Sequence, residues 1–205
     1  MISSKVGHSF DPAVLRVYRI LCGNKVISPN VLTLFGLFFS IAAALFIGLR
    51  GPLYVGGICL FLSGFCDLLD GAVARDAKMV TSFGGYLDSV LDRYSDLLVM
   101  LSISIHFLRL DHPDPLFSML AFFAAIGAAI VPYAKARAEA ASIECSNGFL
   151  ERPERIILLM IGLGFNVLRP VVIILAVLTH VTVLQRVFLT KRAVRERAFN
   201  EGRES

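Results

Sequence analysis

Long apolar runs limit what this sequence can fold into. Hydrophobic residues make up 56% of the 205-residue chain, and the charged residues, 18% of the total, cluster between the runs. A helix needs about 17–25 apolar residues to cross the hydrocarbon layer of a bilayer. Six runs approach that length, at residues 30–50, 53–74, 83–107, 114–138, 153–168 and 170–190. The sequence therefore predicts an all-α integral membrane protein with six transmembrane helices in one domain over residues 28–192.

The two ends of the chain differ from this domain. In residues 1–27, apolar side chains recur along one helical face, and basic side chains lie off it. The apolar positions are Val14, Leu15, Tyr18 and Leu21, and the basic ones are Arg16 and Arg19. This spacing favours an N-terminal amphipathic juxtamembrane helix in the membrane interface, with a solvated lead-in helix as the alternative. Residues 193–205 are expected to form a charged cytoplasmic tail.

Basic residues are distributed unequally between the two sides that six spans would define. One side collects Lys5, Arg16, Arg19, Lys25, Arg75, Lys78, Arg152, Arg155 and the basic residues from Lys191 onward. The other side has only Arg50, Arg109 and Arg169. The positive-inside rule therefore predicts that both termini are cytoplasmic. No basic patch interleaved with aromatic residues is present in the sequence, which excludes nucleic acid as the expected partner.

Four aspartates stand out within the apolar runs. Asp67 and Asp70 are i,i+3 neighbours, and Asp88 and Asp92 are i,i+4 neighbours, so each pair shares one helix face. If the two helices face each other, the carboxylates converge and repel one another unless cations bind them. Ligands that are all oxygen favour Mg²⁺, with Mn²⁺ as the alternative. The predicted site lies on the cytoplasmic side and holds one or two divalent metals.

Small residues and an arginine accompany these aspartates. Gly71, Ala74 and Gly84 would let a bulky ligand approach the helix backbone, although tight helix packing is the rival explanation. Arg75 lies one turn beyond Gly71 on the same side and can meet a phosphate. The expected ligand is a phosphate ester.

The complete pattern resembles the signature of the CDP-alcohol phosphotransferase family. The residues that carry the resemblance are Asp67, Asp70, Gly71, Ala74, Arg75, Gly84, Asp88 and Asp92, at the spacing D-x2-D-G-x2-A-R-x8-G-x3-D-x3-D. The resemblance implies a homodimeric enzyme that transfers a phosphatidyl-type group from a CDP-linked lipid, usually CDP-diacylglycerol, to an alcohol and releases CMP.

The resemblance also implies roles for individual residues. Asp67, Asp70 and Asp88 would hold the metals, and Asp92 would contribute to the metal site and act as general base for the acceptor hydroxyl. Gly71, Ala74 and Arg75 would line the CDP moiety. Asn30 and Thr33 border the nucleotide in the family, although Ser28 and Pro29 already have a sufficient role as the start of the first helix.

A second group of cations indicates the type of acceptor. Lys135 and Arg155 lie where cytoplasmic helix ends meet, and Arg186 lies inside the sixth span, about one turn deeper than the tail charges. Three cations around one cavity suit an acceptor that already carries a phosphate. Arg152 is explained by topogenic charge alone. The pattern is similar to phosphatidylinositol phosphate synthases, which implies inositol 1-phosphate. That branch commonly has Ser where this chain has Pro132, and glycerol 3-phosphate is the rival acceptor.

Two other classes of protein compete with this prediction. Intramembrane carboxylates also fit a divalent-cation transporter, but no acidic residues continue the path toward the opposite side. A non-catalytic membrane scaffold would leave the clustered aspartates unexplained.

Overall fold

The computed structural model describes residues 12, 14–20, 27–143 and 148–204, without the side chains of residues 198 and 200–204. Its helices are α1 (Pro29–Gly48), α2 (Leu53–Asp76), α3 (Ser82–Leu108), α4 (Pro115–Ala140), α5 (Arg152–Gly164) and α6 (Leu168–Glu204). Residues 14–20 are also helical. No strand occurs within the described residues, and the all-α prediction is confirmed.

Several helices end in the same way, which keeps the connections between them short. Arg50, Lys78, Ser142 and Asn166 have positive φ angles of 55–61° just beyond the ends of α1, α2, α4 and α5. The next amide donates back to the last turn, for example from Met79 to the carbonyl of Ala74 at 2.8 Å. This is the Schellman arrangement that satisfies the terminal carbonyls. Between α2 and α3 it produces a tight turn, which brings the two aspartate-bearing helices together.

The bundle is built from neighbouring pairs: α1 packs on α2 and α3, α4 on α3 and α6, and α5 on α2 and α6. Its interior includes Ile47, Val99, Met100, Ile103 and Leu175, each at most 1% exposed. Outside the bundle, Tyr18 is buried against Leu32, Leu69 and Val73. The predicted apolar face of the N-terminal segment therefore contacts the bundle, and Leu21 lies outside the described residues.

Within the described residues, four helices are long and apolar enough to cross a membrane. They are α1, α2, α4 and the Leu168–Arg197 part of α6. The first half of α3 is too polar to qualify, because it carries the site aspartates. The 13 residues of α5 would rise only about 20 Å, less than the hydrocarbon thickness of about 30 Å. The structure thus has a helix for every predicted run, but it supports four of the six as spans on length and hydropathy.

The bounds of the last two helices differ from the predicted runs. The predicted run 153–168 is interrupted by a turn at residues 165–166, so α5 ends at Gly164. The run 170–190 extends in both directions, and α6 continues to Glu204. The charged segment from residue 193 is therefore an extension of α6 rather than a separate element.

The short α5 begins part of the way down the bundle. Its first residue, Arg152, contacts Asp96, which lies about 20 Å along α3 from Ser82 at the rise of an α-helix. At the other end, Arg169 at the start of α6 pairs with Asp114 at the start of α4 at 3.1 Å, and Arg50 pairs with Asp111 at 2.6 Å. Because α5 begins well inside the bundle, it leaves a space between α3, α4 and α6 beyond its N-terminus.

A close approach of α4 and α6 supports this arrangement and can be tested. A Cβ added at Gly127 would lie 2.1 Å from Thr179 Oγ1 and 2.7 Å from Thr179 Cβ. We expect Gly127→Ala to destabilise the protein by about 1–3 kcal/mol through overpacking. A fall in Tm of roughly 2–4 °C per kcal/mol would be measured in detergent.

Gly164→Ala is the matched control, since a Cβ there meets no heavy atom within 4 Å. Equal Tm values for the two variants would contradict the close α4–α6 contact.

Candidate active site

Three carboxylates from two helices form one cluster. Asp67 and Asp70 on α2 and Asp88 on α3 each offer an oxygen within 4.8 Å of the others. The tight turn between the helices brings them together, and Thr81 caps α3 by accepting from the amide of Gly84 at 3.0 Å. From α1, the Thr33 hydroxyl donates to Asp70 Oδ2 at 2.7 Å. We refer to Asp67, Asp70 and Asp88 as the carboxylate triad.

The triad fits a divalent cation. Asp70 is only 7% exposed, and Asp88 Oδ1 is buried without a hydrogen-bond partner in the described part of the chain. Like charges this close repel one another, and burial strengthens the repulsion. A cation with oxygen ligands would remove the repulsion and satisfy the unpaired oxygen. Magnesium and manganese both suit such ligands.

Asp92 lies apart from the triad. Its role as a fourth metal ligand stays a prediction; in this state it is not one of the clustered carboxylates, and its Oδ1 lies 2.9 Å from Arg152 Nη1. The reason is the position of α5, whose first residue inserts a guanidinium between Asp92 and the triad. The role of Asp92 as general base stays a prediction.

Arg152 is the residue that sequence reasoning most underestimated. It was explained as topogenic charge, yet its side chain is only 13% exposed and lies 2.7 Å from Asp67 Oδ2, 2.9 Å from Asp92 Oδ1 and 3.5 Å from Asp96 Oδ1. The three carboxylates offset the cost of burying this guanidinium. Arg152 therefore stays charged and neutralises part of the cluster.

Asp96 and Arg93 are further residues that the sequence prediction missed. Asp96 follows Asp88 and Asp92 at the same four-residue spacing, which is the signal that could have found it. Its Oδ2 accepts a hydrogen bond of 2.5 Å from Arg155 Nη2. Arg93 follows Asp92 directly in sequence and lines the same cavity as that residue.

A cavity of about 290 Å³ opens on one side of the triad. Its lining includes Asp70 and Asp88 together with all the residues predicted to contact a CDP moiety, namely Asn30, Thr33, Gly71, Ala74 and Arg75. A Cβ at Gly71 would lie 3.1 Å from Arg75 Nη1. The absence of a side chain at Gly71 thus lets the Arg75 guanidinium lie across the helix at the cavity wall. We call this space the nucleotide cavity, after that prediction.

A second cavity, of about 160 Å³, lies on the other side of Arg152. The lining residues are Asp92, Arg93, Val131, Pro132, Lys135, Glu151, Arg152, Arg155 and Arg186. Lys135, Arg155 and Arg186, predicted to bind an acceptor phosphate, are thus brought together. The N-terminus of α5 also borders this space, and the positive end of a helix dipole favours anions. We call it the acceptor cavity.

The predicted phosphate-binding cations have acidic partners in this state. Arg155 pairs with Asp96, Arg186 Nη2 lies 3.3 Å from Glu151 Oε1, and Lys135 Nζ lies 3.9 Å from Glu139 Oε1. Arg186 also donates to the carbonyl of Val131 on α4. These contacts hold the cations at the cavity wall. Arg155 and Arg186 are only 3% and 2% exposed, which places their charges where an anion would lose little energy to solvent screening.

Known proteins of similar sequence and structure provide an independent comparison. The family model for CDP-alcohol phosphatidyltransferase matches residues 26–192. The archaetidylinositol phosphate synthase of Methanothermobacter thermautotrophicus is 36% identical over 192 residues, covering 90% of this chain and 94% of that protein.

Two solved structures of Mycobacterium tuberculosis phosphatidylinositol phosphate synthase also match. The structure with CDP-DAG bound has a TM-score of 0.73 at 29% identity, covering 91% of this chain and 94% of that chain. The structure in complex with manganese and citrate has a TM-score of 0.73 at 29% identity, covering 90% of this chain and 88% of that chain. The similarity therefore extends over nearly the whole bundle.

The carboxylate triad predicts how the protein responds to a divalent cation. We expect Mn²⁺ to raise the Tm of the wild type, because a ligand at 100 times its Kd stabilises by about 2.7 kcal/mol. Asp70→Asn should lose most of this increase. Without metal its Tm should not fall, because the substitution removes a buried charge that Asp67 and Asp88 repel.

Asp114→Asn is the matched control, since Asp114 pairs with Arg169 at the opposite end of the bundle. Its Mn²⁺-dependent increase in Tm should equal that of the wild type. A full increase in the Asp70→Asn variant would place the metal elsewhere.

Proposed function

The chain belongs to the CDP-alcohol phosphatidyltransferase family, and from that premise we propose that it transfers a phosphatidyl-type group from CDP-diacylglycerol or a related CDP-lipid to inositol 1-phosphate, releasing CMP. The observation that supports this most strongly is that acidic residues of the site line two cavities, Asp70 and Asp88 the first and Asp92 the second. One cavity is lined by the residues predicted for the CDP moiety, and the other by the predicted phosphate-binding cations.

The reaction assigns a task to each side of the site. The CDP moiety of the donor binds in the nucleotide cavity, where Arg75 meets the diphosphate. Mg²⁺ or Mn²⁺ held by Asp67, Asp70 and Asp88 would supply the positive charge that offsets the charge developing on the leaving phosphate. Asp92 accepts the proton of the acceptor hydroxyl as that oxygen attacks the β-phosphorus. The bond between β-phosphorus and the bridging oxygen breaks, and CMP leaves.

The acceptor cavity supports a phosphorylated alcohol. Buried Arg155 and Arg186 lie beside Lys135 and the N-terminus of α5, and these cations can bind the phosphate of a phosphorylated alcohol, a contact that an uncharged alcohol cannot make. The relatives named archaetidylinositol phosphate synthase and phosphatidylinositol phosphate synthase share the inositol phosphate group and differ in the lipid. That shared group favours inositol 1-phosphate, while glycerol 3-phosphate is the second candidate because Pro132 offers no hydroxyl to the cavity.

The membrane arrangement that we propose follows the distribution of charge. All six helices cross, with α3 carrying its aspartates in the cytoplasmic half and α5 crossing only the remaining depth. Both termini and both cavities are then cytoplasmic, in agreement with the positive-inside rule. The N-terminal segment lies in the interface, and the protein acts as a homodimer, as the family resemblance implies.

A divalent-cation transporter is a less suitable alternative. Between the triad and the opposite end of the bundle, the buried residues include Ala43, Ile47, Met100 and Ile103. The hydroxyls of Ser40 and Ser63 are also buried there but pair with each other at 2.7 Å, and no buried carboxylate of the described bundle continues a path for a migrating cation. The described part of the bundle thus favours a site that opens to one side only.

Asp92→Asn tests the proposed reaction. We expect CMP release from CDP-diacylglycerol and inositol 1-phosphate to fall by about 10²–10⁴-fold, the usual contribution of a general base. The Mn²⁺-dependent increase in Tm should be retained, because Asp92 lies outside the triad. CMP release at the wild-type rate in a folded variant would rule out Asp92 as the base, and metal flux in proteoliposomes without CMP release would favour the transporter.

Pro132→Ser tests the acceptor. A hydroxyl in the acceptor cavity should lower the KM for inositol 1-phosphate by roughly 3–10-fold, the value of one added hydrogen bond. Pro132→Ala is the matched control, because it also restores the backbone amide of α4 but adds no hydroxyl. If both variants lowered the KM equally, the cause would be the restored backbone amide of α4 and not the hydroxyl. If CMP were released with glycerol 3-phosphate but not with inositol 1-phosphate, glycerol 3-phosphate would be the acceptor.

A further inference from the structure

One guanidinium lies between the carboxylate triad and the acceptor cavity. Arg152 Nη1 is 2.7 Å from Asp67 Oδ2, which belongs to the triad, and 2.9 Å from Asp92 Oδ1, which lines the acceptor cavity. We propose that Arg152 is a positioning residue that couples cation binding at the triad to anion binding in the acceptor cavity. The inference rests on the proposed function only in taking the acceptor to be a phosphorylated alcohol.

The first step is competition for Asp67. The same carboxylate that pairs with Arg152 also supplies one of the three oxygen groups of the triad. A divalent cation bound there would attract the Asp67 oxygens and repel the guanidinium. Arg152 and the cation therefore oppose each other as long as Arg152 stays against Asp67.

The second step is that Arg152 is held by charge more than by directed hydrogen bonds. Its Nε and Nη1 atoms are buried and within ion-pair distance of carboxylates, but neither has a partner at a hydrogen-bonding angle. Arg155 differs, since its Nη2 donates to Asp96 Oδ2 with good geometry. A small rotation away from Asp67 gives up that ion pair of 2.7 Å but keeps the ion pairs with Asp92 and Asp96.

The third step concerns where the guanidinium moves. Arg152 already lines the acceptor cavity, and Asp92 and Asp96 keep it at that wall when it leaves Asp67. A tetrahedral dianion in the cavity attracts it in the same direction. Cation and anion thus displace Arg152 toward one position, so each increases the affinity for the other, as thermodynamic linkage requires.

The test measures binding and needs neither a CDP-lipid nor turnover. Mn²⁺ is titrated into the detergent-solubilised protein and free Mn²⁺ is followed by electron paramagnetic resonance, with and without sulfate as the dianion. In the wild type, we expect sulfate to increase Mn²⁺ affinity by about fivefold or more, the usual size of such coupling. In Arg152→Gln, sulfate should have no effect, and Mn²⁺ affinity without sulfate should exceed that of the wild type.

The higher Mn²⁺ affinity expected of Arg152→Gln without sulfate distinguishes this role from a structural one, because a variant that merely disturbs the site would bind Mn²⁺ more weakly. Arg169→Gln, which removes an arginine from an ion pair at the opposite end, is the control and should behave as the wild type. Absence of coupling in the wild type, or full coupling in Arg152→Gln, would overturn the proposal. The second result would mean that sulfate acts directly on the metal.

If Arg152→Gln does not fold, Arg152→Lys replaces it. A single ammonium cannot meet Asp67 and Asp92 as a planar guanidinium does, so the coupling should fall below that of the wild type, and unchanged coupling would overturn the proposal. The proposed function can fail independently. If the protein shows coupling but releases no CMP, the role of Arg152 stands and the transferase assignment is wrong.

Discussion

Repulsion among three carboxylates, one buried and two partly buried, is the constraint on which the rest of the structure depends. An apolar bundle cannot hold Asp67, Asp70 and Asp88 within 4.8 Å of one another without compensation, since burial increases the cost of each charge. The compensation comes from two sources. Thr33 donates to Asp70, and Arg152 contacts Asp67 from the opposite side. The remaining negative charge is what gives the triad its affinity for a divalent cation, so the instability of the metal-free cluster and its function have the same origin.

The depth at which α5 begins follows from this constraint. A helix that started level with the end of α4 would place its first basic residues in solvent, as the topogenic interpretation of Arg152 assumed. Starting beside Asp96 instead, α5 delivers Arg152 and Arg155 into the carboxylates of α2 and α3. The same displacement opens the acceptor cavity above the helix N-terminus. A short α5 therefore does two things at once: it neutralises the aspartates of the bundle, and it creates a positively charged space next to them.

The sequence predicted the elements and the paired aspartates because both depend on local spacing. Apolar runs located each helix to within a few residues at most ends, and the i,i+3 and i,i+4 intervals placed each aspartate pair on one face. The role of Arg152 could not be predicted in this way, because it depends on how far α5 slides along α3, and hydropathy does not encode that register. Asp96 had a spacing signal but lay outside the recognised pattern. The cations of the acceptor cavity were located from their positions in the predicted topology and supported by a resemblance, and their acidic partners became evident only from the packing.

The position of Arg152 also bears on how a transferase avoids using water as the acceptor. In the described state, Asp92 faces a guanidinium at 2.9 Å, so the oxygen that would accept a proton is engaged by a positive charge. A water molecule carries no charge to draw Arg152 away, whereas the phosphate of a phosphorylated alcohol attracts it toward the cavity wall. Under the role that we propose for Asp92, the arriving phosphate takes up part of the positive charge of the guanidinium, and Asp92 becomes a stronger proton acceptor while it stays in contact with Arg152. Because the phosphate and the attacking hydroxyl belong to the same molecule in the acceptor that we propose, the charge that identifies this acceptor would also raise the basicity of Asp92.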